Sequence, residues 1–207
     1  MADATTVALP HCHNHYLVMR HGHSQANARG LIVSSPTHGC EGYGLSAKGE
    51  EQLQHRLDSW HLATPTHIVH SDFLRTTQTA EHVGAYFSLT PTPDQRLRER
   101  FFGDLDQGPD SAYASIWSHD AENPHHHLQG CESVADVVQR MFALIIDLEA
   151  RLHHQTILLV SHGDPLHILL TAASGQPLSA HRDQPPLAPA DIRPLIVGAD
   201  AAGTASS

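Results

Sequence analysis

The sequence predicts an α/β domain, namely a three-layer α/β/α sandwich with a mostly parallel central sheet. Two observations predict it. Short continuous apolar runs, which are typical of strands buried on both faces, recur at 16–19, 67–69 and 156–160. Segments whose apolar residues recur every three or four positions separate these runs, and strands that alternate with helices build sheets of this kind.

The first half of the chain carries two of these strands and two predicted helices. The strand at 16–19 stops at the sequence Arg-His-Gly, and the strand at 67–69 is soon followed by Ser71. One helix is expected after Ser46 and another after Ser71, because apolar side chains recur at helical spacing in both places.

The second half begins with a long helical pattern. Apolar residues recur at a spacing of three or four over 134–152, which predicts one apolar face over about five turns. Ser133 and Asp136 resemble a capping box at its start. The third strand comes next, a helix should follow Gly163, and a proline-rich connection leads to a last strand expected at 195–197.

Two stretches, 28–44 and 103–130, are rich in Gly, Pro, Ser and His without a period, so they are expected to be loops. The second loop is expected to hold one short helix near 112–117. We predict a single domain with two flanking segments: an irregular N-terminal segment at 1–15, the domain at 16–198 and a flexible tail at 199–207.

Composition limits the classes of ligand. The 207-residue chain has a formal net charge of −10, whereas nucleic acids and anionic membrane surfaces both require a basic face. Lys48 is the only lysine, so nearly all permanent positive charge is arginine, which binds phosphate and carboxylate in a bidentate manner. An anionic ligand would therefore need a local cationic pocket in an acidic protein.

Cysteine usage and the N-terminus favour a cytoplasmic location. Cys12, Cys40 and Cys131 are far apart and form no CxxC pair, which indicates reduced thiols and no zinc site built on thiolates. Residues 1–10 lack the basic start and apolar core of a signal peptide, and the apolar runs are too short to span a bilayer.

Charged residues and histidines cluster at the predicted strand ends. Arg20 and His21 follow the first strand, Arg75 lies one helical turn after the second, and His162 follows the third. Ligands of open parallel sheets bind at the carboxyl ends of the strands, so these four residues should converge on one edge. A glycine follows each histidine, which allows a sharp turn into a helix whose N-terminus attracts anions. A phosphate would suit such a pocket.

These residues lie in a set of motifs that resembles the histidine phosphatase superfamily, which includes phosphoglycerate mutases. The motifs occur in the family's order over roughly 16–170: LVMRHGHSQAN at 17–27, LSAKG at 45–49, SDFLRTTQTA at 71–80, LRERFFG at 97–103, GCES at 130–133 and VSHG at 160–163. One of these motifs alone would be a weak signal, but their order makes the resemblance specific.

The resemblance implies a role for each matched residue. His21 would attack phosphorus and become a phosphohistidine, which divides a difficult displacement into two steps. Arg20, Arg75 and His162 would bind the phosphoryl oxygens, and Glu99 would protonate the leaving oxygen and then activate water. Gly22 is expected to bind substrate through its backbone. Asn27 and Glu132 would be second-tier contacts, Asn27 to the substrate and Glu132 by holding an arginine or a histidine in place.

Several readings of single residues stay open. Glu99 could form a simple surface salt bridge with Arg98 or Arg100, and Asp104 and Asp106 are rival carboxylates. Capping or turn stabilisation accounts for Asn27 and Glu132 as well as ligand contact does. Where many relatives carry Glu or Gln, His23 stands here, so the rim of the pocket should differ.

Two histidine tracts resemble metal-binding segments. They are His11, His13 and His15 at the N-terminus and His125-His126-His127 in the second loop. Polar loop histidines are more often solvated, and no carboxylate or cysteine partner has ligand spacing. We therefore expect chemistry without a metal or another cofactor.

Three functions compete. The first is a phosphomonoester hydrolase that acts on a small phosphorylated metabolite, as a monomer or homodimer. The second is a phosphoglycerate mutase, which is disfavoured because 104–131 contains no Lys or Arg that could grip a phosphoglycerate. The third is a non-catalytic module that retains a phosphate pocket, which the complete set of presumed catalytic residues disfavours.

Overall fold

A five-stranded sheet forms the centre of the molecule. The computed structural model describes Leu9 and residues 11–197, so the predicted tail and most of the predicted N-terminal segment lie outside the described residues. The strands are β1 (His15–Arg20), β2 (His67–His70), β3 (Thr92–Pro93), β4 (Thr156–Ser161) and β5 (Ile192–Pro194), in the order β3-β2-β4-β1-β5. The pairs β1–β4, β2–β4 and β2–β3 are parallel, and only β5 runs antiparallel to its neighbour β1.

Helices connect the strands. They are α1 (Gln25–Arg29), α2 (Pro36–Gly39), α3 (Ala47–Asp58), α4 (Leu74–Phe87), α5 (Tyr113–Glu122), α6 (Val134–Arg151) and α7 (Gly163–Ala173). The predicted helices after Ser46, Ser71, Ser133 and Gly163 are therefore confirmed. The capping box of α6 is confirmed too, because Ser133 Oγ accepts from the Asp136 N–H at 3.1 Å while Asp136 Oδ2 accepts from the Ser133 N–H at 3.1 Å.

The two faces of the sheet bury separate apolar clusters. On β1, Tyr16 and Val18 point into the cluster formed with α6 and α7, whereas Leu17 and Met19 point into the cluster formed with α3 and α4. Successive strand residues face opposite sides of a sheet, which explains why continuous apolar runs are needed here. The predicted three-layer sandwich is confirmed.

The last strand begins earlier than the sequence predicts. The apolar run at 195–197 suggests a buried strand, but β5 occupies Ile192–Pro194 and Ile196 is exposed. Pro194 is tolerated because β5 is an edge strand with a free outer side. Leu195 still donates its N–H to Tyr16 O at 2.9 Å, so pairing with β1 continues just past the assigned strand.

The two long loops are tied to each other. An antiparallel bridge joins Leu31 to Pro109, and Asp106 accepts from the backbone N–H groups of Ser34 and Ser35. A further bridge between Phe102 and Cys131 closes the second loop at its base. The short helix expected near 112–117 is α5. Within the described part of the chain, no helix is long and apolar enough to cross a membrane.

Candidate active site

The carboxyl ends of β1, β2 and β4 are adjacent and carry the site. Arg20 ends β1 and His21 follows it, Ser71 follows β2, and His162 follows β4. A cavity of about 260 Å³ opens at this edge, and Arg20, His21, Arg75, Glu99 and Asn27 are among the residues that line it. Two other cavities, of about 320 and 530 Å³, are larger, but neither contains such a set of arginine, histidine and glutamate.

His21 is buried with one ring nitrogen fixed and the other facing a donor. Its Nδ1 lies 2.7 Å from Gly22 O, so Nδ1 carries the proton and donates it to that carbonyl. Its Nε2 accepts from Arg75 Nε at 3.1 Å. Burial, followed by the charges of Arg75 and Arg20, lowers the pKa of His21 well below its ordinary value. The ring is therefore neutral at pH 7, with the lone pair of Nε2 available as a nucleophile.

Gly22 positions His21 and is not one of the residues that line the cavity. Its N–H donates to Thr79 Oγ1 at 3.1 Å, so that donor is already engaged in place of the expected substrate contact. A Cβ at this position would lie 3.1 Å from both Gly49 O and a methyl carbon of Leu45. The glycine is thus needed for close packing of the turn against α3.

Both arginines line the cavity, and part of each guanidinium is bonded to a backbone carbonyl. Arg20 Nη1 donates to Leu187 O at 2.7 Å and Arg75 Nη2 donates to Val33 O at 3.0 Å. Arg20 Nε and Arg75 Nη1 are buried and have no hydrogen-bond partner among the described residues. Buried donors are rarely left unpaired, so both nitrogens indicate an anionic ligand. The glycine after His162 makes room for Arg20, because a Cβ on Gly163 would approach its guanidinium to 3.3 Å.

His162 lies beside the cavity rather than among the residues that line it. Its Nε2 is hydrogen-bonded to Ser71 Oγ at 2.9 Å, and its ring centre is 5.3 Å from that of His21. Its Nδ1 has no hydrogen-bond partner among the described residues and lies 3.7 Å from Glu99 Oε2. Burial and then Arg75 lower the pKa of His162 well below its ordinary value, so it is a neutral group at pH 7.

Glu99 is a buried carboxylate that lines the cavity. Its Oε1 accepts from the Arg100 N–H at 3.0 Å, and its Oε2 lies 3.7 Å from Arg75 Nη2. Burial raises the pKa of Glu99 to about 7, against the opposing effect of Arg75. A carboxyl with such a pKa can donate a proton in one step and accept one in the next at neutral pH.

The structure distinguishes Glu99 from the neighbouring charged residues that the sequence left as alternatives. The surface salt bridge belongs to Arg98, which pairs with Asp72 at 2.6 Å. Asp104 is exposed, and Asp106 accepts from the backbone of the first loop and pairs with His38 at 2.6 Å; neither lines the cavity.

The sequence left two roles open for Asn27, namely ligand contact and helix capping. Asn27 lines the cavity and also completes a capping box with Ser24 at the start of α1, so its position is compatible with both ligand contact and capping.

Glu132 holds an arginine outside the cavity lining, pairing with Arg140 Nε at 2.7 Å. Arg140 Nη2 lies 3.4 Å from Glu99 O, so this pair supports the backbone that carries Glu99. His23 is hydrogen-bonded to Ser46 Oγ at 2.8 Å rather than lining the cavity.

Sequence reasoning missed one wall of the cavity. Asp110, Tyr113 and Trp117 line it, as do Leu31 and Val33 of the first loop. The spacing of three and four between the first three was a readable signal, because it places them on one face of a helix. Nothing in the sequence showed that this face turns toward the strand ends.

The histidine tracts serve separate local contacts. His126 Nε2 lies 2.8 Å from Asp120 Oδ1, and His127 Nδ1 lies 3.1 Å from Cys131 O. The rings of His11 and His13 are 5.7 Å apart. In the range that the structure describes, no group of three His, Cys, Asp or Glu side chains could hold a metal ion.

Comparison with known proteins gives consistent relatives. The family model described as histidine phosphatase superfamily (branch 1) matches residues 16–201. The protein named "Probable phosphoglycerate mutase GpmB" from Proteus mirabilis (strain HI4320) is 33% identical over 172 residues, which cover 81% of this chain and 77% of that protein.

Solved structures share the fold. The alpha-ribazole phosphatase from Shigella flexneri has a TM-score of 0.71 and 25% identity, and the match covers 87% of this chain and 89% of that one. A mycobacterial glucosyl-3-phosphoglycerate phosphatase has a TM-score of 0.73 with coverage of 87% and 88%, and at 23% identity its likeness concerns the fold alone.

Proposed function

The chain belongs to the histidine phosphatase superfamily, and we propose that within it the protein is a phosphomonoester hydrolase that acts on a small phosphorylated metabolite through a phosphohistidine. The observation that carries the proposal is the state of His21. Its Nε2 carries no proton and accepts from Arg75 Nε at 3.1 Å. Arg20 and Arg75 line the same cavity, and each keeps a buried nitrogen that has no partner among the described residues.

In the first step, the Nε2 lone pair of His21 forms the N–P bond while the P–O bond to the alcohol breaks. Glu99, protonated at this stage, gives its proton to the departing oxygen, so the alcohol leaves neutral. Arg20 and Arg75 bind the phosphoryl oxygens, and His162 supports this arrangement beside Glu99. For a loose phosphoryl transition state, such positioning and charge compensation supply most of the catalysis.

In the second step, water attacks phosphorus and the N–P bond breaks. Glu99, now a carboxylate, takes a proton from the water as the new P–O bond forms. Inorganic phosphate leaves, His21 is again neutral, and Glu99 is again protonated. The Nδ1–H bond to Gly22 O keeps the ring in one tautomer through both steps.

A substitution at His21 tests the proposal directly. We expect His21→Ala to lower turnover of 4-nitrophenyl phosphate by at least about 10³-fold, because the nucleophile is removed. His70→Ala is a matched control: His70 is also a buried histidine at a strand end, with Nδ1 2.8 Å from Ser71 O, but it does not line the cavity. Equal rates for the wild type and His21→Ala would refute the proposal.

Trapping of the intermediate makes the test independent of folding defects. Rapid quenching of the wild type with a 32P-labelled ester should leave label on the protein, and peptide mapping should locate it at His21. Label at another residue would show a different nucleophile and refute the role of His21, whereas no label with a broad panel of esters would favour a non-catalytic phosphate-binding module.

A mutase is the second candidate, because a relative that is 33% identical is named as a probable phosphoglycerate mutase. That reaction requires the phosphohistidine to outlast an exchange of product. Hydrolysis is favoured because 104–131, which supplies one wall of the cavity, has neither Lys nor Arg. Formation of 2-phosphoglycerate from 3-phosphoglycerate would establish the mutase; release of phosphate alone would support the hydrolase.

The proposal also covers cofactors, oligomeric state, partners and cellular location. We expect no metal cofactor, so activity should survive dialysis against EDTA, and we expect a monomer or homodimer that binds neither nucleic acid nor membranes. We also propose a cytoplasmic location, on the basis of the widely spaced cysteines in the sequence.

A further inference from the structure

The cavity has a second wall that the phosphoryl chemistry does not use. Asp110 belongs to a turn of 3₁₀ helix, Tyr113 begins α5, and Trp117 follows one helical turn later. Their spacing of three and four residues directs all three side chains into the cavity, opposite the strand ends. The name leaving-group wall is used below for these three residues.

The aromatic part of this wall is held rigidly. Tyr113 stacks on Trp117 with ring centres 5.1 Å apart and an interplanar angle of 9°, and its ring meets Phe102 edge to face at 4.7 Å. Trp117 Nε1 donates to Asp164 Oδ1 at 3.0 Å, and the guanidinium of Arg182 lies 3.7 Å from the centre of the Trp117 ring. Because these rings are already fixed, packing of a ligand against them costs little side-chain entropy.

Tyr113 lines the same cavity as Glu99 and Arg75, and its hydroxyl has no hydrogen-bond partner among the described residues. Burial, and then the charge of Glu99, raise the pKa of Tyr113, so its hydroxyl is protonated at pH 7 and can donate a hydrogen bond. Tyr113 is half-buried, so its hydroxyl is free to bond to a polar atom of a ligand in the cavity.

Asp110 makes the same wall acidic. Its side chain is exposed at the rim and forms no hydrogen bond or ion pair within the part of the chain that the structure describes. The carboxylate lies over Gly30, where a Cβ would be 3.5 Å from Asp110 Oδ1, so no side chain screens it on that side. The only arginines that line the cavity, Arg20 and Arg75, lie on the phosphoryl side.

Given the proposed function, on which this inference rests, we propose that the leaving-group wall selects monophosphate esters of small uncharged alcohols that bear further hydroxyl groups, and disfavours esters that carry a carboxylate. Tyr113 and Asp110 hydrogen-bond to hydroxyl groups of the alcohol, and the aromatic faces pack against its carbon atoms. A carboxylate in the same place meets the Asp110 charge, whereas the nearby guanidinium of Arg182 is already paired with Asp164 at 3.3 Å. The cavity of about 260 Å³ limits the alcohol to a small one.

Two esters that differ in one group test the proposal. Glycerol 3-phosphate and 3-phosphoglycerate share a carbon chain, but the first ends in a hydroxymethyl group and the second in a carboxylate. We expect the wild type to have the higher kcat/KM for glycerol 3-phosphate. Asp110→Asn should shift the ratio of the two values toward 3-phosphoglycerate by about fivefold, which corresponds to about 1 kcal/mol between unit charges 4 Å apart in water.

Salt and control variants separate this effect from a structural one. The preference of the wild type should shrink as salt is raised from 0.05 to about 1 M, where the Debye length is only about 3 Å. Asp58→Asn removes a charge from α3 away from the cavity and should leave the ratio unchanged.

The Tyr113 hydroxyl is tested separately. Tyr113→Phe should lower kcat/KM for glycerol 3-phosphate by about fivefold, because one hydrogen bond is lost. Tyr86→Phe, on the exposed surface of α4, should leave kcat/KM unchanged.

The outcomes distinguish the two proposals. A ratio that Asp110→Asn and salt both leave unchanged overturns the leaving-group wall while the hydrolase stands, as does turnover of 4-nitrophenyl phosphate without turnover of glycerol 3-phosphate. Failure to release phosphate from any of the three esters refutes the proposed function itself, and the inference falls with it.

Discussion

Arg75 and Arg100 are buried to nearly the same degree, with 3% and 0% of their surfaces exposed, but they lie in opposite electrostatic surroundings. Arg100 donates to Asp120 through two nitrogens, each at 2.7 Å, and to Asp164 at 3.2 Å, and its Nε donates to Glu132 O. Arg75 has no carboxylate closer than Glu99 at 3.7 Å, and its Nη1 has no partner among the described residues. Burial alone therefore does not identify a functional cation; unsatisfied donors do.

The surroundings of Arg100 are in direct contact with the pocket that contains Arg75. Asp164 belongs to the Arg100 cluster, here meaning Arg100, Asp120 and Asp164, and lies two residues after His162. It also accepts from Trp117 in the wall of the cavity. In the cluster, Arg100 is held between two carboxylates, one of which also pairs with Arg182 at 3.3 Å, whereas Arg20 and Arg75 in the pocket keep donors that have no partner among the described residues.

The largest expected effect is on catalysis at Arg75. Arg75→Met should lower kcat/KM for a phosphate ester by about 10³-fold or more, because a cation that compensates charge on the transferring phosphoryl group is lost. The free energy of unfolding should fall by less than about 1 kcal/mol or rise, since a buried and incompletely paired charge is removed. Steady-state kinetics together with urea unfolding measure both. A large loss of stability would show that Arg75 is structural, like Arg100.

Arg100→Met should show the reverse pattern. Removal of this guanidinium leaves Asp120 and Asp164 buried without their main partner, and breaking such a cluster costs about 3–5 kcal/mol of stability. Urea unfolding of Arg100→Met should therefore show a much lower midpoint than that of Arg98→Met, in which only a partly exposed pair with Asp72 is lost. If the two variants unfolded at the same urea concentration, the distinction between cluster and surface pair would fail.

The strand ends were predictable because their signal is local. A continuous apolar run that stops at Arg20 and His21 fixes both the strand and the edge at which they lie, and the same reasoning places Arg75 and His162. The long stripe of α6 and its capping box were readable for the same reason. The misplacement of β5 shows the limit, since Pro194 closes a strand that apolar character alone places three residues later.

What the sequence could not show depends on contacts between distant segments. Arg98 and Arg100 flank Glu99 and look alike in the sequence, but one bonds to Asp72 near the surface and the other to Asp120 in the interior. Likewise, Tyr113 and Trp117 join the pocket only because the two long loops bridge each other at Leu31 and Pro109. No periodicity in either loop encodes that pairing.

Glu99 and Asp164 are both buried carboxylates, but their pKa values shift in opposite directions. The dependence of stability on pH can test this difference. Burial raises the pKa of Glu99 to about 7, whereas the pKa of Asp164 is lowered, because Arg100 and its other cationic neighbours outweigh the effect of burial. In the unfolded chain Glu99 releases its proton near its ordinary pKa of 4.5, but in the folded protein it keeps that proton to about pH 7. The folded state therefore binds more protons in this window, and the free energy of unfolding should fall as pH rises from 4.5 to 7.

Glu99→Gln should remove that dependence, because its amide mimics the protonated acid. We expect the variant to lose the ability to protonate the leaving oxygen and yet to be more stable than the wild type at pH 8, by on the order of 1–3 kcal/mol. Urea unfolding at pH 5 and pH 8 measures the difference, with Glu50→Gln on α3, outside the cavity, as control. A wild type and a Glu99→Gln variant with parallel pH profiles of stability would show that Glu99 is ionised in the folded protein at pH 5, and that it resembles Asp164 rather than a proton donor.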